Sequence, residues 1–406
     1  MPTNFAYKVR DKQGKVLEGT LEAENVSLVA DKLRQMGYVP MSIDAQRDSK
    51  FQAEIKIPGL SNRVKLKDVA VFSRQFATMI NAGLSLLRSL TILADQTENK
   101  ELARVCGVVR SDVEKGSSLS AAMAKHPKVF SRLYISMIRA GEVSGALDDT
   151  LMRLADTIEA QVELQRRVKS AMTYPMVVGV LVLLILTAMI LFIVPMFETM
   201  YASLGGELPL PTRMLINVSN VVRKMWFLVV GVEIGAIIGF KKWINTEKGR
   251  GAWDAIKLKM PVFGGLVHKT AVARFSRTLG SLIQSGVPIL ESLEIVADTS
   301  GNEVMGKAVR ECQTAVKQGE SLGVPLGRYD VFPAMVVQMI VVGEETGALD
   351  DMLARIADFY DAEVAATVEA LTSLIEPLLI VFMGCSVGGM VIALYMPMFN
   401  IIKLIQ

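Results

Sequence analysis

The side chains of this chain that are best spaced for chemistry are carboxylates, and their pattern occurs twice. The first copy reads Gly141-Glu142-x-x-Gly145-Ala146-Leu147-Asp148-Asp149, and the second reads Gly343-Glu344-x-x-Gly347-Ala348-Leu349-Asp350-Asp351. Carboxylates grouped in this way can bind a cation, stabilise the positive end of a helix dipole or contact a basic partner. The small residues favour a tight turn followed by a helix start. Among functional uses, the pattern favours a partner contact through these acids, and a cation at Glu142 or Glu344 is the alternative. The candidate partner-contact residues are Glu142, Asp148, Asp149, Glu344, Asp350 and Asp351.

A second candidate is a near match to a phosphate-binding loop at residues 301–308, Gly-Asn-Glu-Val-Met-Gly-Lys-Ala. The hydroxyl that would bind magnesium is missing, because Ala308 stands where the pattern has Ser or Thr. No predicted strand precedes the segment, and the first copy has Glu98 where the second has Gly301. We therefore interpret residues 301–308 as a turn between helices.

Other chemistry is poorly represented in the sequence. The two histidines stand in unrelated contexts, no Ser/His/Asp set occurs, and the three cysteines lack paired spacing. We predict no catalytic, cofactor-binding or metal-binding residue, and hence no cofactor and no enzyme activity.

The acidic pattern belongs to a larger repeat, in which residues 72–201 recur as residues 275–405. Phe72-Ser73-Arg74 returns as Phe275-Ser276-Arg277, and glycines divide each copy into short helices. Apolar residues at helical spacing follow the paired aspartates in both copies. The sequence predicts a mainly α fold, with a compact bundle of about six helices per copy whose last helix runs into a long apolar segment.

Composition places the chain between soluble and membrane proteins. It has 406 residues, of which 51% are hydrophobic and 21% charged, and its mean hydropathy is +0.37. These values fit soluble domains joined to a few membrane spans. The net charge of +3 predicts no nucleic-acid partner.

Two segments, residues 170–197 and 377–402, contain no charged residue and are long enough to cross a bilayer. A third, residues 225–240, is shorter and contains Glu233, but basic residues and tryptophans flank it. An acid within a span is a candidate functional residue, so Glu233 is a candidate intramembrane polar site. Lysine and arginine cluster before the first span and after the middle one, which predicts a cytoplasmic N-terminus and an external C-terminus. Because both copies then enter the membrane from the cytoplasm, the middle segment is required as a return span.

These observations predict the following organisation. A small α+β module at 1–46 and a linker at 47–65 precede the first cytoplasmic bundle at 66–170. Transmembrane helix 1 at 171–197, an external loop at 198–224 and transmembrane helix 2 at 225–242 follow. A cytoplasmic segment with the second bundle at 243–375, transmembrane helix 3 at 376–402 and an external tail at 403–406 complete the chain.

The duplicated acidic motif, each copy followed by a span that begins near Tyr174-Pro175 or Glu376-Pro377, resembles the type II secretion F family. Further matching segments are Lys169-Ser170-Ala171-Met172-Thr173-Tyr174-Pro175 and Pro261-Val262-Phe263-Gly264. The resemblance covers residues 65–405, and it implies a multi-pass platform protein in the bacterial cytoplasmic membrane. In this family such proteins assemble type IV pili or belong to type II secretion systems.

The resemblance also implies the partners. They are a hexameric cytoplasmic assembly or retraction ATPase, major and minor pilins, inner-membrane alignment proteins, and further copies of the chain in a dimer or tetramer. The function expected is to couple the ATPase to the insertion or extraction of pilins in type IV pilus assembly. A secretion-system platform is the alternative within the family, and a small transporter or channel is a distant one.

Overall fold

The computed structural model describes residues 3–10, 16–23, 26–45, 63–204 and 209–404. Its chain divides into two units, Met1–Arg63 and Val64–Gln406. Of the predicted linker at 47–65, only the last three residues are among those described, and the last two residues of the predicted tail also lie outside them.

The first unit is a small α+β module. Strands β1 (Thr3–Arg10) and β2 (Val16–Ala23) pair antiparallel, with Val9 opposite Leu17. Helix α1 (Val26–Gln35) follows, and β3 (Val39–Ala45) then pairs antiparallel with β1, which gives the order β2-β1-β3. Val9, Val29 and Leu33 form a small apolar core between the sheet and the helix.

Six helices form the first repeat. They are α2 (Leu66–Asn81), α3 (Leu86–Gln96), α4 (Lys100–Glu114), α5 (Leu119–Ala124), α6 (Arg132–Ser144) and α7 (Leu147–Ala188). Side chains of Asn99, Ser118 and Ser131 cap the starts of α4, α5 and α6 by accepting backbone N–H bonds. Helix α7 has 42 residues, so the helix that closes the bundle is also the one that leaves it.

The connection between the repeats is helical as well. A π-helical turn at Met189–Ile193 joins α7 to α8 (Val194–Leu204), and α9 (Leu210–Lys224), α10 (Trp226–Ile244) and α11 (Glu247–Lys259) follow. Helix α9 lies in the stretch predicted as an external loop. It buries Thr212, Ile216 and Ser219, which share one face. Thr212 donates to the carbonyl oxygen of Ala393 at 2.5 Å, and Ser219 donates to that of Ile190 at 2.6 Å.

The second repeat again has six helices. They are α12 (Phe263–Gln284), α13 (Ile289–Thr299), α14 (Glu303–Lys317), α15 (Gly323–Leu326), α16 (Ala334–Thr346) and α17 (Leu349–Leu404). One continuous apolar core runs through both repeats, from Phe72 and Phe76 in α2 to Val336 and Ile340 in α16. The two bundles therefore pack as one body.

Two helical stretches, Leu147–Met200 and Leu349–Met396, are long and apolar enough to cross a membrane. Only 11% and 17% of their most apolar segments is buried within the chain, unlike a core helix of a soluble protein. Helix α10 has 19 residues, three of them charged (Glu233, Lys241 and Lys242), and it does not meet the same criterion. Among the described residues, two helices are therefore candidate membrane spans, and a third span is not confirmed.

Candidate functional site

The first acidic motif forms the junction between α6 and α7. The half-buried carboxylate of Glu142 accepts hydrogen bonds from the backbone N–H groups of Leu119 (2.5 Å) and Ser120 (3.1 Å), and from the Ser120 hydroxyl. These amides open α5, where they have no acceptor within the helix. Glu142 is therefore an internal cap that ties the end of α6 to the start of α5.

The second motif repeats this arrangement. Glu344 accepts from the backbone N–H of Leu322 at 2.8 and 2.9 Å and from that of Gly323 at 3.4 Å, at the start of α15. The two glutamates thus perform the same task at equivalent positions of the two bundles.

The glycines of the motif are required by close approach and by backbone conformation. A Cβ at Gly141 would lie 2.8 Å from Thr150 Oγ1 and 3.2 Å from Leu147 Cα, and one at Gly343 would lie 3.0 Å from Leu349 Cα. Gly145 and Gly347 end α6 and α16 with φ of 73° and 72°, a left-handed conformation that favours glycine. The motif therefore sets how sharply the chain turns into each long helix.

The paired aspartates occupy the first turn of each long helix, where carboxylates stabilise the helix dipole. Asp148, Asp149 and Asp351 are exposed, and Asp350 is half-buried. Within the described part of the chain, none of the four is in an ion pair. At about 1.5 Å per residue, the helix from Asp148 to Pro175 is about 40 Å long, and so is the helix from Asp350 to Pro377. These acids are thus available for an external partner, because they lie at the end of each long helix that is farther from its apolar segment.

A second duplicated feature holds the long helices against their bundles. Arg74 of α2 donates to Glu159 of α7 at 2.6 and 2.8 Å and to Asp156 at 2.5 Å. The hydrogen bond from Arg74 lowers the pKa of Glu159, and the bonds to both acids raise the pKa of Arg74. In the second repeat, Arg277 of α12 contacts Asp358 at 3.0 Å and Asp361 at 2.5 Å. Sequence reasoning noted the repeated Phe-Ser-Arg segment but not these partners.

The two long helices also contact each other where they leave the bundles. Leu164 of α7 packs with Leu266 of α12 and with residues of α17, and the cluster comprises Leu164, Leu266, Val364, Val368 and Leu371. Lys269 of α12 donates to Glu363 of α17 at 2.7 Å beside it. At this level the two long helices are therefore joined by packed side chains.

Polar contacts connect the bundles further from the apolar segments. Arg132 of α6 pairs with Glu294 (2.9 Å) and Asp298 (2.7 Å) of α13, and Ser136 donates to Glu291 at 3.1 Å. Thr157 of α7 lies 2.8 Å from Ser281 of α12, oxygen to oxygen.

The remaining candidates lie apart from these junctions. Glu233 is exposed on α10 and forms no hydrogen bond or ion pair with the residues that the structure describes. The turn between α13 and α14 is shorter than the predicted 301–308: Gly301, with a φ of 77°, and Asn302, which caps α14, form it, and residues 303–308 are the first residues of α14. The first amides of α14 are already bonded, because Asn302 accepts from Val304 N and Met305 N and Asp254 accepts from Glu303 N. They are not free to cradle a phosphate.

Comparison with known proteins identifies the architecture. The family described as "Type II secretion system (T2SS), protein F" matches residues 72–195 and again residues 275–397. The family described as its N-terminal domain matches residues 1–44.

Curated relatives cover nearly the whole chain. A "Type IV pilus assembly protein PilC" of Thermus thermophilus is 45% identical over 98% of this chain and 98% of its own length. A protein of the same name from Myxococcus xanthus is 43% identical over 99% of this chain and 96% of its own length. A "Type II secretion system protein F" of Xanthomonas campestris is 33% identical over 98% of both.

Proposed function

This chain belongs to the type II secretion system protein F family, and we propose that within it the chain is the platform protein of a type IV pilus assembly machine. Its two apolar helices and its family membership support an inner-membrane platform protein of pilus or secretion machinery. The pilus assignment is supported by identities of 43% and 45% to proteins named for pilus assembly, against 33% to one named for secretion.

The observation that carries the mechanism is the continuity of α7 and α17. Each starts at an acidic turn, is clamped to its bundle by an arginine, and continues without a loop into an apolar segment. A push or rotation delivered at the acidic end reaches the membrane because a helix about 40 Å long bends little. We therefore assign the bundles the task of receiving motion from the cytoplasmic hexameric ATPase, and the spans the task of moving pilins between bilayer and fibre.

The membrane arrangement that this function needs has three spans. Helix α10 is the third, because exposed apolar side chains between Phe227 and Phe240 lie on every face and basic residues end it. In this topology both bundles and the N-terminal module are cytoplasmic, and α9 and the C-terminal end are external. The exposed surface of α10, which includes Glu233, is then free to contact lipid, pilins, alignment proteins or a second copy in a dimer or tetramer.

A matched pair of variants tests the coupling. Residues 170–173 are replaced by Gly-Ser-Gly-Gly in one variant and by four alanines in the other, so that length and helical register stay the same. Glycine is less favourable than alanine in a helix by about 1 kcal/mol per residue, so only the first variant gains a flexible joint. Loss of surface fibres in the glycine variant but not in the alanine variant, with both proteins present in the membrane fraction, is the expected result. Normal assembly in the glycine variant would contradict the coupling mechanism.

Gene deletion distinguishes the pilus machine from the secretion-system alternative. The pilus assignment predicts loss of surface pili and twitching with normal secretion of extracellular enzymes. A strain that keeps its pili and fails to secrete would instead assign the chain to a type II secretion system.

A further inference from the structure

A cleft of about 340 Å³ opens where α7 leaves the bundle, between α7, α11, α12 and the turn that precedes α14. Its walls are largely apolar, and Val168 and Met172 of α7 form one side. Three basic side chains from three different helices also line it: Lys169, Lys257 and Arg274. An apolar wall combined with converging cations is suited to an amphipathic anion.

Arg274 is the unusual member of this set. It is half-buried, its burial lowers the pKa of the guanidinium, and no acid among the described residues pairs with it. Asp254 on α11 already accepts from Glu303 N and pairs with Lys257 at 2.6 Å. A desolvated cation without a counter-ion is costly, so an anionic ligand at this position would be stabilised.

Gly301 makes room for this guanidinium. A Cβ at Gly301 would lie 2.2 Å from Arg274 Nη1, so a residue with a side chain there would displace it. In the first repeat the corresponding residues are Val71 and Glu98. The fold is the same in both repeats, so it does not require the arginine and glycine. The pair is specific to the second repeat, and the first has an acid in place of the glycine.

With α7 inserted in a bilayer, the cleft lies at the level of the lipid headgroups. The apolar helical segment from Pro175 in α7 to Val194 at the start of α8 is about 30 Å long, which matches the hydrocarbon layer of a bilayer. Lys169 and Met172 precede Pro175 by about 5–9 Å along the helix axis, which is the depth of the headgroup region. A lipid molecule can therefore enter the cleft from the membrane surface.

We propose that this cleft binds one anionic phospholipid, whose phosphate contacts Arg274 and the two lysines while an acyl chain lies along Val168 and Met172. Arginine provides the bidentate hydrogen bonds that phosphate oxygens favour, and the lysines add point charges. The lipid would join α7 of the first repeat to α11 of the connection and to α12 of the second repeat at the membrane surface. The inference depends on membrane insertion of α7 and not on the pilus assignment.

The test uses the full chain in a neutral detergent, with native mass spectrometry to count retained phosphatidylglycerol or phosphatidylcholine of equal chain length. Arg274→Gln removes a charged hydrogen-bond donor, for which we expect a loss of phosphatidylglycerol affinity of about tenfold or more. Lys169→Gln lies on an exposed position that folding does not need, and we expect a loss of about fivefold. Arg274→Lys should lie between wild type and Arg274→Gln. Arg88→Gln, on an exposed position of α3, is the control and should bind as wild type does.

Three results would overturn the proposal. They are equal retention of the two lipids, unchanged phosphatidylglycerol affinity in both Arg274→Gln and Lys169→Gln, and displacement of phosphatidylglycerol by millimolar inorganic phosphate. The last would show a site for free phosphate in place of a lipid. Preference for phosphatidylglycerol that falls in both variants and resists phosphate supports the lipid site, whether or not pilus assembly is the function of the chain.

Discussion

Replacing Glu142 by alanine separates its role as an internal cap from a role in partner binding. The substitution leaves the amides of Leu119 and Ser120 without their acceptor. Leu119 is 0% exposed and Ser120 is 4% exposed, so water replaces the carboxylate incompletely. The start of α5 should then open more often, together with the packing of the first repeat.

The magnitude follows from the number and burial of these bonds. An unsatisfied buried donor costs about 1–3 kcal/mol. Because Glu142 is half-buried, each of the two amides should cost about 1 kcal/mol, which gives a total of about 2 kcal/mol. Because about 1.4 kcal/mol is a factor of ten, opening should become about 30-fold more frequent. Glu142→Gln keeps one acceptor oxygen, so we expect about 1 kcal/mol and about a fivefold effect.

The thiol of Cys106 provides the assay. It lies in α4, is 1% exposed, and burial raises its pKa to about 12, so it reacts with a maleimide only when the bundle opens. In full chains that carry Cys312→Ala and Cys385→Ala, the labelling rate at neutral pH reports this opening alone. The matched control is Asp149→Ala, since this exposed acid contributes only through the helix dipole, about 0.3–1 kcal/mol. If Glu142→Ala labels no faster than Asp149→Ala, the capping role is refuted.

Two further predictions concern the same junctions. Gly141→Ala should destabilise the chain by about 1–3 kcal/mol because its Cβ meets Thr150. Gly107→Ala, on α4 with open space around it, should instead stabilise the chain by about 0.5–1 kcal/mol. Thermal unfolding followed by circular dichroism distinguishes the two signs, and equal shifts of the two variants would refute the close-packing argument. Arg74→Met should cost about 1 kcal/mol at pH 7 because Arg74 and Glu159 are partly exposed. Because the pair lowers the pKa of Glu159 below 4.5, the difference in free energy of unfolding between the variant and wild type should persist above that pH and vanish as the pH falls through the lowered value. A difference that stays constant down to pH 2 would refute the contribution of this ion pair.

Local signals in the sequence were enough to predict the repeat and the positions of its turns. Gly145 and Gly347 mark the helix ends because the left-handed conformation is a property of a single residue. The acids that follow them mark helix starts for an equally local reason. Continuity between bundle and apolar segment was also predictable, since no turn residue interrupts α7 between Leu147 and Pro175.

Contacts between distant segments were not predictable in this way. The donors to Glu142 lie more than 20 positions earlier in the sequence, and only the fold shows that the start of α5 meets the end of α6. For the same reason, the partners of Arg74 and the neighbours of Arg274 could not be predicted from the sequence. Helix α9 has a local signal, with Pro211 in its first turn and Thr212, Ile216 and Ser219 on one face, but the stretch was assigned only by its position between two predicted spans.

The shared core of the two repeats has a consequence for how strong their interface must be. Two separate chains would need a large apolar surface to stay associated, whereas the contacts of Arg132 with Glu294 and Asp298 are solvent-exposed ion pairs worth little by themselves. A covalent connection through α8–α11 replaces bimolecular affinity by a high effective concentration of each bundle near the other. The apolar core that runs through both repeats can therefore be smaller than an interface between separate chains, and the two repeats are free to diverge at single positions, as Val71 and Arg274 have done.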